Sequence, residues 1–463
     1  MFKLLVVSSF FVLFAYGALQ FYNFLYKEAP LPDYDYDKYW GPGTKKEKEI
    51  AIHKIVLSFE DGLIDRLRFQ LNQTAFYLPK PLEDVNFEYG FNSKTLGQLM
   101  YYWQTDYLDR WYGEREFYIA KYPHYETKIQ GLDIHYIHVY PENVSKSIKV
   151  LPLLLLHGWP GSILEYYDLI TELINQTKHQ PFVFEFIVPF IPGFGYSQAP
   201  SKQGFDTIQA GIVFNNLMDR IGSKQYYIYG GDWGSIIGNQ MATLFPDNVL
   251  GYHSTMCTTG TPLATIKTLI ASFRPSLFIE EKYIDYYYPV IPQLWNLLEE
   301  SGYFHLQATK PDTIGAALSN NPTGLAAYIL EKFSTGSNLA NRKKKHGGVD
   351  ETIQIDKLLD NLMIYYGTNS ITTSMRLYKE VMQNYDQLKA LDSIKTVVPT
   401  GCARFKHEIR HVPDFILKDK FVNLIQSTYY EKGGHFAAIE YPDLLAKDIF
   451  DFVFKVEEKK NKV

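Results

Sequence analysis

The sequence predicts an α/β fold interrupted by a helical insertion, on three observations. Strand-like and helix-like segments alternate over residues 150–257, and the alternation then yields to a helix-rich stretch over 262–388. Strand-like runs return at 396–405 and 424–429. Strands alternating with helices imply a parallel sheet with both faces covered.

Composition narrows the classes. The chain has 463 residues, enough for one large domain with an insertion or for two domains. A net charge of −5 gives no reason to expect a nucleic acid partner. The 37 tyrosines and 16% aromatic content fit a greasy core or an apolar substrate tunnel, and composition does not separate the two. Cys257 and Cys402 are the only cysteines, which excludes a disulfide scaffold and any Cys-based zinc spacing. Neither a metal nor a cofactor is expected.

The elements follow in order. Residues 4–26 carry no charge, and about 20 apolar residues suffice for a helix to span a bilayer. Residues 1–26 therefore read as a membrane anchor. A cleaved signal peptide is the rival, since Ala15-Tyr16-Gly17-Ala18 offers small residues for cleavage. Apolar character continues past that point to Phe24-Leu25-Tyr26, which favours the anchor. A linker over residues 27–49, rich in Pro, Asp and Tyr, lacks apolar periodicity and should be extended. Residues 50–140 form an N-terminal meander with helical patches at 63–69 and 99–103. They end in apolar alternation on either side of Gln130-Gly131, the pattern of a β-hairpin.

The first half of the α/β core spans residues 141–261. Residues 150–156 form a continuous apolar run, as a buried parallel strand should, and lead into a Gly-rich loop. Helix at 166–174, strand at 182–188, helix at 208–221, strand at 225–229 and helix at 236–244 continue the alternation. A cap, mostly helical, occupies residues 262–388, and the core resumes over 389–463.

Directly after the strand at 225–229 the chain reads Gly230-Gly231-Asp232-Trp233-Gly234. This is the small-x-nucleophile-x-small pattern of a nucleophile elbow, with Asp232 at the position where serine is usual. A serine attacking an alkyl carbon would leave an inert ether. A carboxylate leaves an ester, whose carbonyl water can attack. Asp232 thus points to an electrophilic sp³ carbon, as in epoxides and alkyl halides.

Asp232 needs a base, an orienting acid and an oxyanion hole. In α/β-hydrolase folds the order along the chain is nucleophile, acid, histidine. His435, in Lys432-Gly433-Gly434-His435-Phe436, has that position and would deprotonate the attacking water. Glu408 and Asp414 are the candidate acids. Glu408 follows the strand at 396–405 more closely and is preferred, while helix N-capping accounts for Asp414. The loop His157-Gly158-Trp159-Pro160-Gly161-Ser162 should supply one oxyanion-hole N–H, from Trp159, and Trp233 a second. His157 reads as structural. An opened epoxide leaves an alkoxide, which a tyrosine phenol can meet with a proton. Residue type alone does not select which tyrosines do so.

Together, Gly-Gly-Asp-Trp-Gly-Ser, His-Gly-Trp-Pro-Gly-Ser and Gly-Gly-His-Phe-Ala-Ala resemble the motifs of the microsomal epoxide hydrolase family. The likeness covers nearly the whole chain, including the apolar N-terminus and Trp40-Gly41-Pro42-Gly43. It implies an α/β-hydrolase fold, no cofactor, and a place in the endoplasmic reticulum membrane. It also implies Asp232 as nucleophile, His435 as base and Glu408 as acid. Glu300-Ser301-Gly302-Tyr303-Phe304-His305 and Met375-Arg376-Leu377-Tyr378-Lys379-Glu380 match the segments that carry the family's two ring-opening tyrosines. That match assigns Tyr303 and Tyr378. The run Gly401-Cys402-Ala403-Arg404-Phe405-Lys406-His407-Glu408 is most similar to the insect juvenile hormone epoxide hydrolases, whose substrate is a terpenoid epoxy ester. One departure is Gly336, where relatives usually carry Trp, which implies a locally enlarged or loosened cap.

The expected function is cofactor-free conversion of an apolar epoxide, juvenile hormone by resemblance, to its vicinal diol through an aspartyl ester. The expected partners are that epoxide, water and a membrane. One alternative is broad detoxification of xenobiotic epoxides. A haloalkane dehalogenase would also use an aspartate elbow, with Trp159 and Trp233 as halide donors, but the tyrosine-bearing cap argues against it. A carrier that binds hormone without turnover predicts a broken triad, whereas this one is complete in sequence.

Overall fold

A computed structural model describes residues 2–46, 49–74, 77–142, 144–177 and 180–461, with the backbone alone for residues 2–12 and 461. One sheet of nine strands organises the described residues, in the order β1-β2-β3-β5-β4-β6-β7-β8-β9. These are β1 (Ile52–Ile55), β2 (His124–Ile129), β3 (Leu132–Val139), β4 (Lys149–Leu156), β5 (Phe182–Pro189), β6 (Tyr226–Gly230), β7 (Val249–Ser254), β8 (Thr400–His407) and β9 (Leu424–Gly434). The pairs from β1 through β3 to β5 are antiparallel, and those from β5 through β4 to β9 are parallel.

The parallel strands are central because their residues tolerate burial on both faces. In β4, Leu153 to Leu156 are buried, and every residue of β6 is buried. The chain leaves β4 to form β5 on one side, then crosses to form β6 on the other. The sheet therefore changes winding direction between β4 and β6. In open α/β sheets ligands bind at the carboxyl ends of the strands at such a point.

Helix α1 (Phe2–Tyr26) precedes the sheet, and α2 (Leu63–Thr74) and α3 (Ser93–Tyr102) fill the meander. The core helices are α4 (Tyr167–Gln176), α5 (Thr207–Arg220) and α6 (Asp232–Leu244). Asp206 caps α5 by accepting from the N–H groups of Ile208 and Gln209, which have no partner within the helix. Between β7 and β8 lie α7 (Pro262–Phe273), α8 (Val290–Glu300), α9 (Gly302–Thr309), α10 (Pro311–Leu318), α11 (Pro322–Ser337), α12 (Ile355–Gly367), α13 (Ile371–Gln383) and α14 (Tyr385–Asp392). Helices α15 (Asp414–Lys420) and α16 (Pro442–Asn461) complete the second half of the core.

The structure modifies several expectations. Among the described residues no helix is long and apolar enough to cross a membrane. The expected anchor is thus not shown, and the side chains of its first 12 residues lie outside the described ones. From Leu13 to Tyr26 all the large apolar side chains of α1 except Leu25 stand exposed, Leu13 at 69% and Phe24 at 60%. The linker is more than a tether, since Trp40 is fully buried and packs edge-on to Phe205 at 5.1 Å. The two cysteines, expected to build no disulfide scaffold, form a single bridge between Cys257 and Cys402. Asp414 does not cap α15. Pro413 holds the cap position, while Asp414 accepts from Arg404 at 2.5 Å and from Ser427 at 3.0 Å.

Candidate active site

The elbow is built by crowding. Asp232 follows β6 with φ +47°, a conformation that few non-glycine residues adopt. A Cβ at Gly234 would fall 1.8 Å from the Leu156 carbonyl oxygen, so only glycine lets α6 start this close to β4. A Cβ at Gly158 would fall 2.2 Å from Oδ1 of Asp232. The loop after β4 can therefore approach the carboxylate only through bare backbone. That approach has a chemical result: the Trp159 N–H donates to Oδ1 of Asp232 at 2.8 Å.

The same loop is braced from two sides. His157 is buried, and its Nε2 accepts from the Ile191 N–H at 3.2 Å. Its proton therefore resides on Nδ1, which donates to the Gly158 carbonyl at 3.0 Å. Burial pushes its pKa down to about 4, so the ring is neutral and structural. From the cap, Asn361 Nδ2 donates to the Pro160 carbonyl at 2.8 Å and Tyr365 to the Gly161 carbonyl at 2.9 Å. Both residues are on α12, so the loop is clamped between sheet and cap.

His435 directly follows β9. Its Nε2 lies 3.2 Å from Oδ2 of Asp232, and its Nδ1 lies 2.5 Å from Oε1 of Glu408. Glu408 directly follows β8 and is buried. Burial pulls the His435 pKa down, but the Glu408 carboxylate and hydrogen bonds to Asp232 and Glu408 prevail and hold it well above its ordinary value. The ring is further positioned through its backbone, whose N–H donates to the Gly336 carbonyl at 2.9 Å. Glu440 accepts from the Gly434 N–H at 3.2 Å and from the Phe436 N–H at 3.0 Å, on either side of the histidine. Burial pushes the Glu440 carboxyl up to about 8 against those two bonds.

Above Asp232, α9 brings Tyr303 and α13 brings Tyr378. Four aromatic rings interlock there, two from the core and two from the cap. Tyr303 stacks on Trp159 at 5.3 Å, and Tyr378 meets Trp159 and Trp233 edge-on at 5.9 and 4.7 Å. Such offset and edge contacts fix ring orientation as well as burying area. Burial and then the Asp232 carboxylate push the Tyr303 phenol upward. Burial, Tyr303 and Asp232 do the same for Tyr378. Both phenols stay protonated at neutral pH and can donate.

The structure thus brings together Asp232, His435, Glu408, Tyr303, Tyr378, Trp159 and Trp233. Trp233 is the residue after Asp232, in the first turn of α6, where backbone N–H groups have no partner within the helix. No cluster able to hold a metal ion occurs among the described residues. Gly336 does not open the cap as its small size suggests. Its missing side chain makes room for Phe436, which a Cβ there would meet at 2.8 Å, and Phe436 stacks on Phe333 at 4.1 Å.

Two carboxyls of the site escaped sequence reasoning, Glu440 and Glu165. Glu165 lines the same chamber as Asp232 and His435. Its one signal was isolation, a single acid in the apolar run Ile163-Leu164-Glu165-Tyr166-Tyr167 just after the Gly-rich loop.

Two family models match the chain, one described as epoxide hydrolase N terminus over residues 52–166, the other as alpha/beta hydrolase fold over residues 152–384. Juvenile hormone epoxide hydrolase 2 of Ctenocephalides felis is 48% identical, over 93% of this chain and 91% of that protein. Epoxide hydrolase 1 of Sus scrofa is 41% identical, over 91% of this chain and 93% of that protein. The crystal structure of juvenile hormone epoxide hydrolase from the silkworm Bombyx mori superposes with a TM-score of 0.89. Its identity is 42%, covering 92% of this chain and all of that one.

Proposed function

The chain belongs to the epoxide hydrolase family of α/β hydrolases, and on that premise we propose that it opens an apolar epoxide to a vicinal diol in two covalent steps. The observation that carries the reading is the double grip on Asp232. Oδ1 is held by the Trp159 N–H, while Oδ2 is the oxygen next to His435. Oδ2 is the nucleophile and attacks a ring carbon. Tyr303 and Tyr378 hydrogen-bond the epoxide oxygen, and a phenol proton meets the developing alkoxide. Oδ1 becomes the ester carbonyl oxygen, already seated in the hole that will hold the oxyanion of the second step.

The charge balance then drives the cycle forward. In the resting enzyme His435 lies between two carboxylates, Glu408 and Asp232, which favour the imidazolium. Esterification removes the charge of Asp232. The His435 pKa falls, and the ring becomes a base able to deprotonate water only once there is an ester to cleave.

Juvenile hormone is the substrate the reading favours, because the two flea relatives named for it are 48% identical while the Sus scrofa epoxide hydrolase 1 is 41% identical. The ratio of kcat/KM for juvenile hormone to that for styrene oxide is the relevant measurement. The ratio is expected to exceed about 10². A ratio at or below one would favour broad detoxification. Chloride release from a chloroalkane, without diol formation from either epoxide, would mark a dehalogenase.

Attachment to an endoplasmic reticulum membrane is the accompanying reading. It is supported by the uncharged run over residues 4–26 and by the exposed apolar side chains of α1 from Leu13 onward. Alkaline carbonate should leave the full chain in the membrane pellet and release a chain lacking residues 1–26.

Tyr303→Phe and Tyr378→Phe should each slow ester formation about 10²-fold, the usual cost of deleting one donor to a developing oxyanion. Cleavage of ester already formed should change little, because the phenols act on the epoxide oxygen. Equal slowing of both half-reactions would contradict the assigned role.

A further inference from the structure

Below the elbow is a small chamber. Its walls include Glu165, Tyr166, Tyr229, Asp232 and His435, and its volume is about 10 Å³. That is of the order needed to seat one water molecule, which also requires at least two polar partners. The tyrosine hydroxyls are engaged elsewhere. Tyr166 donates to the Leu156 carbonyl at 2.6 Å, and Tyr229 pairs with the Thr255 hydroxyl at 3.4 Å. Polar capacity facing the chamber therefore comes from Asp232, His435 and Glu165.

Glu165 is placed there by a glycine. A Cβ at Gly161 would fall 1.3 Å from Oε1 of Glu165, so the carboxyl occupies the space that any other residue at 161 would take. The Ser162 N–H donates to it, and its charged neighbours are His435, Asp232 and Glu440. Burial, opposed by His435 and reinforced by Asp232, pushes the Glu165 carboxyl up to about 8. At neutral pH it is an uncharged acid. It can accept a hydrogen bond without setting a further anion beside the oxyanion that forms on Asp232.

We infer that this chamber seats the hydrolytic water and that Glu165 positions it, accepting one water hydrogen while His435 Nε2 takes the other. The inference rests on the two-step reading. The water lone pair is then directed at Cγ of the Asp232 ester. The water oxygen bonds to Cγ as its proton passes to His435, and the charge moves onto Oδ1 beside the Trp159 N–H. Collapse breaks the bond between Cγ and the diol oxygen, which takes the proton back from His435. The other water proton is left on the Asp232 carboxyl and passes to His435, which restores the resting pair of carboxylate and imidazolium. The proton that His435 gives up after esterification replaces the one lost by the phenol, so one water is consumed over the cycle.

Single-turnover kinetics of the full chain separate this role from a structural one. Glu165→Met keeps the volume but removes the acceptor. It is expected to slow ester hydrolysis about 10²-fold, the penalty of a misplaced reactant, while ester formation stays within about 2-fold. Glu165→Gln keeps a neutral acceptor and should hydrolyse the ester within about 3-fold of the native rate. Hydrolysis at the native rate in Glu165→Met would overturn the inference, as would loss of both half-reactions together. Should Glu165→Met fail to fold, a Glu165→Gln variant that folds yet loses hydrolysis more than 10-fold overturns it as well. If neither the native chain nor His435→Gln ever forms an ester, the two-step reading itself has failed, an outcome distinct from the others.

Discussion

Asp232→Ala is expected to lower kcat by at least about 10⁵-fold, because it deletes the atom that bonds to the substrate. No neighbour can take its place. Burial raises the Glu165 carboxyl, which disfavours its anionic form, and Glu408 is turned to Nδ1 of His435 and to the Ile409 N–H at 2.7 Å. The variant should still bind epoxide, since Tyr303, Tyr378 and the aromatic walls are untouched. Quenching of tryptophan fluorescence on titration would report that binding, with Trp159 and Trp233 beside the site. A residual rate above about one part in 10³ would mean that water attacks the epoxide directly, with Asp232 as a general base at most.

His435→Gln should have the second largest effect and a different character. Ester formation needs the Asp232 carboxylate and the phenols, so it should survive. Hydrolysis needs a base and should slow about 10³- to 10⁴-fold. Ester then accumulates in stoichiometric amount, and intact mass rises by the full mass of the epoxide because ring opening expels no fragment. In the native enzyme the same physics gives a pH signature. Resting His435 is raised by Glu408 and Asp232 against its burial, and esterification removes the Asp232 contribution. The base is the neutral ring, so ester hydrolysis should rise with pH through a midpoint below the His435 pKa of the free enzyme. A hydrolysis step that falls with rising pH over that range would contradict the assignment.

How much of this was readable in the sequence depended on how local each cause is. The elbow was legible because its constraints are short-range, with Gly230 and Gly234 spaced to let backbone pass backbone. The buried strands were legible for the same reason, as four consecutive leucines leave β4 no solvated face. The edge strand β1 was missed. Ile52-His53-Lys54-Ile55 is nearly all exposed and is a strand only because β2 offers its ladder. Trp40 was placed in a linker, since its pocket beside Phe205 is formed by a segment far along the chain.

Tyr303 and Tyr378 show the limit on the functional side. Nothing in residue type separates them from the other tyrosines, and their assignment came from resemblance. Their setting around Trp159 and Trp233 depends on how the cap is seated on the core. Glu165 and Glu440 were passed over for a related reason. Their carboxyls matter through burial, and burial belongs to the assembled fold. Gly336 was misjudged because a small residue reads as empty space, whereas in the fold Phe436 fills it.

The covalent ester on Asp232 is the central claim, and one single-turnover experiment in ¹⁸O-water tests it most directly. With enzyme in excess over epoxide, the first-turnover diol should carry no label, and a peptide containing Asp232 should gain one ¹⁸O in its carboxylate. Label in the first-turnover diol, with Asp232 unlabelled, would show that water opens the ring without an ester.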